Sequence, residues 1–101
     1  MEQIEYDLMI KELSDSSENS ATVLRRIDFM EAQLITYPAV ASEIVSNYLL
    51  SNHQSCKVSS IAYESNAGQE MSLIFHANLR DEGGQIFSVC GNLYVTKVCL
   101  A

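Results

Sequence analysis

The 101-residue sequence predicts an α+β fold, with two or three N-terminal helices packed on a three- to four-stranded antiparallel meander sheet. Two observations carry this prediction. Apolar residues recur at helical spacing in the first half of the chain, and from Cys56 onward they alternate with polar residues at the period of a strand. Helices followed by strands are typical of folds in which the helices cover one sheet face. We therefore expect a single domain over residues 1–101, with a helical part at about 2–51 and a sheet at about 56–100.

Residues 2–13 fit either a helix or a strand. A helix would gather their apolar side chains on one face, whereas a strand would make apolar residues alternate with mostly polar ones. The abundance of Glu, Gln, Leu, Met and Lys favours the helix, with the strand as the alternative. The helical face would consist of Tyr6, Met9, Ile10 and Leu13, and the strand face of Ile4, Tyr6, Leu8 and Ile10.

Residues 21–37 show the most regular helical spacing in the chain. Their apolar residues recur four, three, four and three positions apart, which aligns them on one narrow stripe. Asn19 or Ser20 can accept hydrogen bonds from the free N–H groups of the first turn. We expect a core-facing helix, with Phe29 on its opposite side, available to a second layer or to a partner. The stripe consists of Val23, Ile27, Met30, Leu34 and Tyr37.

Pro38 predicts the end of this helix and the start of another. Proline has no amide hydrogen and disfavours helical geometry in the residue before it, so it suits the first position of a helix. The next helix is expected at about 38–51. His53 would follow its C-terminus, where the helix dipole favours a histidine.

The second half of the chain has the pattern of antiparallel strands. Lys57–Glu64 has mixed polarity, which is typical of an edge strand, and Glu70–Leu79 alternates cleanly between apolar and polar residues. Between and after these strands, Ser65–Gln69 and Asp81–Gly84 have the composition of turns.

Two further strands are predicted at Gln85–Cys90 and Leu93–Leu100. Gly91 and Asn92 between them fit a two-residue turn in which glycine takes a positive φ. A glycine bulge within one long, bent strand is the alternative.

This sheet would be apolar on both faces. Helices on one side can cover only one of them, so the second face needs another cover. The candidates are a second copy of the chain, the N-terminal segment or a ligand. We favour a second copy, because two-fold homodimers are the commonest soluble oligomers. In the last strand, Leu93, Val95 and Cys99 would lie on one side, and Tyr94, Thr96, Val98 and Leu100 on the other.

Charge narrows the range of partners. Thirteen acidic and six basic side chains give a formal charge of −7, which repels nucleic acids and anionic membranes. The sequence has no stretch of about 18 apolar residues and no basic, signal-like N-terminus, and its three cysteines are widely spaced. We therefore expect a cytoplasmic protein with free thiols, and no membrane or direct nucleic-acid partner.

No motif in the sequence specifies a chemistry. His53 and Cys56, together with His76 and Cys90, supply enough side chains for a zinc site, but no C-x-x-C pair is present. Cysteine–histidine catalysis would need Cys90 and His76 to meet across a hairpin, in one of several possible registers. We therefore expect neither a metal nor another cofactor.

Two functions are compatible with these features. The favoured one is a non-catalytic, acidic interaction protein that forms a homodimer and binds a basic protein partner. The alternative is a small-molecule-binding or enzymatic roll with a pocket between sheet and helices. The candidate partner-binding residues are Glu2, Glu5, Asp7, Glu12 and Phe29, and the candidate pocket residues are Tyr63, His76 and Tyr94.

Overall fold

A computed structural model describes residues 4–13 and 21–99 of the chain. In these residues five strands form one antiparallel sheet in the order β2-β1-β5-β4-β3. Two helices connect β2 to β3 and pack on one face of that sheet. The elements are β1 (Ile4–Glu12), β2 (Thr22–Ile27), α1 (Phe29–Leu34), α2 (Pro38–Asn52), β3 (Lys57–Ser65), β4 (Ser72–Arg80) and β5 (Ile86–Cys99).

The predicted fold class is wrong, because the N-terminal part of the chain contributes two strands to the sheet. β1 follows the alternating pattern rather than the helical one. It pairs with β5 along its whole length, so its residue preference for helix is outweighed by the hydrogen bonds and the apolar face that this position supplies. Tyr6, Leu8 and Ile10 are buried on that face.

The predicted helix over 21–37 is also wrong in its first half. β2 is an edge strand with a bulge opposite Leu8 and Met9, and it ends at Ile27. Asp28 then caps α1, because its carboxylate accepts a hydrogen bond from the Glu31 backbone N–H at 2.8 Å. The apolar stripe therefore ran across a strand, a cap and a helix.

α2 begins at Pro38, as predicted, and ends at Asn52 with His53 as its C-cap residue. Its inner side buries Ala41, Val45 and Leu49 against the sheet. Ala32 of α1 and Ile35 behind it complete this contact. The core therefore lies between the helices and one sheet face.

The later strands largely follow the prediction. β3 is an edge strand, and β4 buries Leu73, Phe75, Ala77 and Leu79 while its other side chains point away from the core. The predicted turns at Ser65–Gln69 and Asp81–Gly84 are present, with Gly68 and Gly84 at positive φ.

Gly91, however, lies in neither a turn nor a bulge. β5 passes through it in regular register with both neighbours, Glu12 on β1 and Phe75 on β4. A side chain at Gly91 would collide with the buried Phe75 ring, so glycine is required here for close packing and not for its φ.

Among the described residues, no helix combines the length and the apolar character needed to cross a bilayer.

Candidate functional site

No described element covers the sheet face opposite the helices. Successive strand residues point to opposite faces, so the register assigns every second residue to this surface, here called the open face. Its members are Val23 and Arg26 on β2; Glu5, Asp7, Met9 and Lys11 on β1; Ile86, Ser88, Cys90, Asn92, Tyr94, Thr96 and Val98 on β5; Ser72, Ile74, His76, Asn78 and Arg80 on β4; and Lys57, Ser60, Ala62 and Glu64 on β3.

The centre of the open face is apolar. Met9 lies directly opposite Tyr94 across the β1–β5 ladder, and Ile74 and Cys90 lie on neighbouring positions of β4 and β5. All four are half-buried by their neighbours in the sheet. An apolar centre surrounded by polar residues is the usual anatomy of a protein–protein interface.

One polar side chain, Asn92, lies within this centre, opposite Ile74 and between Cys90 and Tyr94 on β5. It and the polar side chains around the centre are bonded to one another. The Ser72 hydroxyl donates to Asn92 Oδ1 at 2.9 Å and accepts from Asn66 Nδ2 at 3.0 Å. Farther along the same strands, Ser88 donates to Asn78 at 3.0 Å. The rim is therefore ordered before any partner arrives, which lowers the entropy lost on binding.

The open face is close to neutral in an otherwise acidic protein. Among the described residues, four of the six basic side chains of the chain and three acids lie on it, which gives these a formal charge of +1, where the whole chain carries −7. The bases are Lys11, Arg26, Lys57 and Arg80, and the acids are Glu5, Asp7 and Glu64.

Arg26 binds two of the acids that the sequence nominated as partner contacts. Its guanidinium donates to Asp7 at 2.7 Å and to Glu5 at 3.4 Å. The hydrogen bond to Asp7 is the main cause that raises the pKa of Arg26, against a smaller opposing effect of burial. Glu5 and Asp7 are therefore already paired within the chain.

Glu12 is likewise engaged inside the molecule, on the helix side of the sheet. It accepts a hydrogen bond from the Tyr48 hydroxyl at 2.6 Å, and His53 Nε2 lies 3.5 Å from its other oxygen. Burial, followed by this hydrogen bond and the Glu12 charge, raises the pKa of Tyr48 far above its usual value of 10. The cluster joins the end of β1 to the end of α2, and its chemistry is that of a structural clamp.

The two remaining partner candidates fall in different places. Glu2 lies outside the described residues. Phe29 begins α1, is 48% exposed, and its ring centroid lies 6.1 Å from that of Tyr6.

The structure does not bring the three predicted pocket residues together. Tyr63 faces the helices and donates a hydrogen bond to Ser42 of α2 at 3.0 Å, whereas His76 and Tyr94 lie on the open face. The groove that does exist between helices and sheet measures about 290 Å³ and runs between α2 and the β1–β2 pair. Leu8, Leu24 and Ile44 line its base, with Arg25, Glu43 and Asn47 among its polar residues.

His76 and Cys90 do meet across the β4–β5 ladder, in one of the registers that the sequence allowed. Glu64 lies 3.7 Å from His76 Nε2. Burial raises the pKa of the Cys90 thiol, and the Glu64 charge raises it further. Since the thiolate is the nucleophile, this environment disfavours nucleophilic catalysis by Cys90.

Within residues 4–13 and 21–99, no three His, Cys, Asp or Glu side chains are placed to hold a metal ion together. Comparison with protein-family models, with curated proteins and with solved structures finds no match for this chain.

Sequence reasoning missed Met9 and Arg26 as members of the open face. Both lie in segments interpreted as helical. The alternation of residues 4–10 was the available signal for Met9, whereas Arg26 gave no signal before the register of β2 was known.

Proposed function

We propose that this protein is a non-catalytic interaction protein that acts as a homodimer, with two copies joined through their open faces. The observation that carries the proposal is the apolar centre formed by Met9, Ile74 and Tyr94 on a face without a described cover. Such a patch on a small protein is typical of an interaction site.

The charge of the open face favours a second copy as the occupant. Two copies that each carry −7 repel one another in most orientations. The open face is the part of the described surface where bases balance acids, so it allows close approach without an accumulation of like charge.

The size of the open face fits a stable dimer. Four strands that each contribute about nine residues and β2 with six, at about 3.4 Å per residue and about 4.8 Å between strands, give roughly 700 Å² per copy. A standard interface uses about 800 Å² per partner.

The ends of the open face suggest how the copies are oriented. At one end Glu5 lies opposite Val98, and at the other Arg80 lies opposite Ile86. A two-fold axis running across the strands would place each strand over the same strand of the other copy, in the reverse direction. It would therefore bring Val98 of one copy against Ile86 of the other at each end of β5.

The cytoplasm is the compartment that fits this proposal. Cys56 and Cys90 are both free, which suits a reducing environment.

The test is the solution mass of the full-length chain by light scattering, compared between wild type and Ile74→Lys. This substitution adds one lysine per copy, and therefore two buried positive charges in the centre of the interface. The dissociation constant of the dimer should rise at least about a hundredfold. Leu50→Lys is the matched control, because Leu50 is 54% exposed on α2 and faces away from the interface.

We expect a mass of twice 11.2 kDa for wild type and for Leu50→Lys, and a monomer for Ile74→Lys. A wild-type monomer at tens of micromolar protein would refute the proposal. A dimer that survives in Ile74→Lys would place the interface elsewhere and would also refute it.

A further inference from the structure

The outer side of α1 and the turn after it expose four large apolar side chains. Met30 is 73% exposed, Tyr37 58%, Phe29 48% and Leu34 41%. The inner side of the same segment is already used, since Ala32 is fully buried against the sheet. We call the four exposed residues the α1 surface.

The spacing of the α1 surface matches one side of a helix. Met30, Leu34 and Tyr37 lie four and then three positions apart, and the Tyr37 N–H donates to the Leu34 carbonyl at 3.0 Å, which extends the helical turn. Methionine is flexible and polarisable, so a Met-containing surface adapts to different apolar partners.

Acidic residues lie at both ends of the α1 surface. Asp28 lines a hollow beside Met30, and Glu70 lines a hollow beside Leu34 and Tyr37. No described basic side chain forms an ion pair with either of these two. Arg25 is the base in this region, and it is bound to Glu31 at 2.6 Å.

Each end of the α1 surface opens into a hollow that combines apolar side chains with a carboxylate. One hollow, of about 300 Å³, is lined by Phe29, Met30 and Asp28 together with Ile4. The other, of about 650 Å³, is lined by Leu34, Tyr37 and Glu70. Apolar contacts in the middle and negative charge at both ends are complementary to a segment with apolar residues flanked by bases.

We infer that the α1 surface binds a basic amphipathic segment of a partner protein. A second copy of this acidic chain has the wrong charge for the carboxylates around it. The inference rests on the proposed role in protein interaction. It uses the helix side of the molecule, so the dimer and this site can fail separately.

The test uses full-length protein and an 18-residue fluorescent peptide of leucine and lysine with one apolar helical face. Its counterpart keeps every leucine and replaces lysine with glutamate. We expect the lysine peptide to bind and the glutamate peptide to bind at least about tenfold more weakly in fluorescence anisotropy.

Two variants separate the apolar and the charged contributions. Met30→Ser combined with Leu34→Ser should raise the Kd about tenfold or more, and both sites are exposed, so the fold should be retained. Asp28→Asn combined with Glu70→Gln removes two negative charges, so it should raise the Kd several-fold and make the Kd depend less on salt. The helix should be retained, because asparagine can still cap it. Leu50→Ser, also exposed on a helix, is the control and should bind as wild type does.

Three results would overturn the inference: no binding of the lysine peptide, equal binding of the glutamate peptide, or full binding by the Met30/Leu34 variant. Loss of peptide binding in Ile74→Lys would show that the peptide binds the open face, and this result would also overturn the inference. Circular dichroism melts of each variant show whether a lost signal comes from unfolding.

Discussion

Replacing Gly91 with alanine tests the packing at the centre of the sheet. Gly91 lies on β5 directly opposite Phe75, whose side chain is fully buried under the helices. A Cβ atom at Gly91 would lie 2.6 Å from Phe75 Cε1, closer still to Cζ, and 3.0 Å from the Lys11 carbonyl oxygen. The ring cannot retreat into the packed core, and the carbonyl is held in the β1–β5 ladder.

The expected loss of stability follows from these contacts. Overpacking of a core costs about 1–3 kcal/mol. Alanine would otherwise stabilise an extended strand by about 0.5–1 kcal/mol relative to glycine. We therefore expect Gly91→Ala to lower the free energy of unfolding by about 1–2 kcal/mol, or the Tm by about 4–16 °C.

The assay is urea and thermal unfolding followed by circular dichroism, at one fixed protein concentration because dimerisation would add to stability. Gly83→Ala is the matched control, since its Cβ would meet only Asp81 Oδ1 at 3.4 Å, and we expect a change within about 0.5 kcal/mol. Phe75→Leu should recover part of the Gly91→Ala loss, with a coupling energy of about 1 kcal/mol. A stabilised Gly91→Ala protein would show that the Phe75 ring does not lie over Gly91.

Two further predictions concern the clamp between β1 and α2. Tyr48→Phe removes the hydroxyl that donates to Glu12 in a part-buried site, so the free energy of unfolding should fall by about 1–2 kcal/mol, measured by urea titration; an unchanged midpoint would contradict this. The raised pKa of Tyr48 also sets a pH window: the folded state holds this proton more tightly than the unfolded state does, so the stabilisation is complete below about pH 10 and is lost above it. In a pH titration followed by phenolate absorbance, Tyr48 should ionise only as the protein unfolds. Identical alkaline unfolding curves for Tyr48→Phe and wild type would contradict this prediction.

The sequence predicted the elements whose signals are local. Pro38 marked the start of α2, the alternation over Glu70–Leu79 marked β4, and the Asp81–Gly84 loop has the composition of its turn. These features depend on a proline ring, on side-chain period and on positive φ, each of which acts within a few residues.

The errors arose where distant parts of the chain decide the structure. β1 contains good helix formers but is held between β2 and β5, and that pairing cannot be read from its own residues. The apparent helical stripe spans the boundary between β2 and α1. Asp28 and Glu31 have the spacing of a helix N-terminal capping pattern, which indicates that boundary. The open face was expected from the two apolar sides of β5, but its charge balance depends on the strand order, which the sequence does not reveal.

The most direct test of the central claim is the protection of one thiol. Cys90 lies on the open face, whereas Cys56 lies against the core on the helix side and serves as an internal reference. If two open faces meet, the maleimide labelling rate of Cys90 relative to Cys56, measured by mass spectrometry, should fall as the protein concentration rises. In Ile74→Lys the ratio should not depend on concentration. A ratio that stays constant in wild type from nanomolar to high micromolar protein would contradict the account.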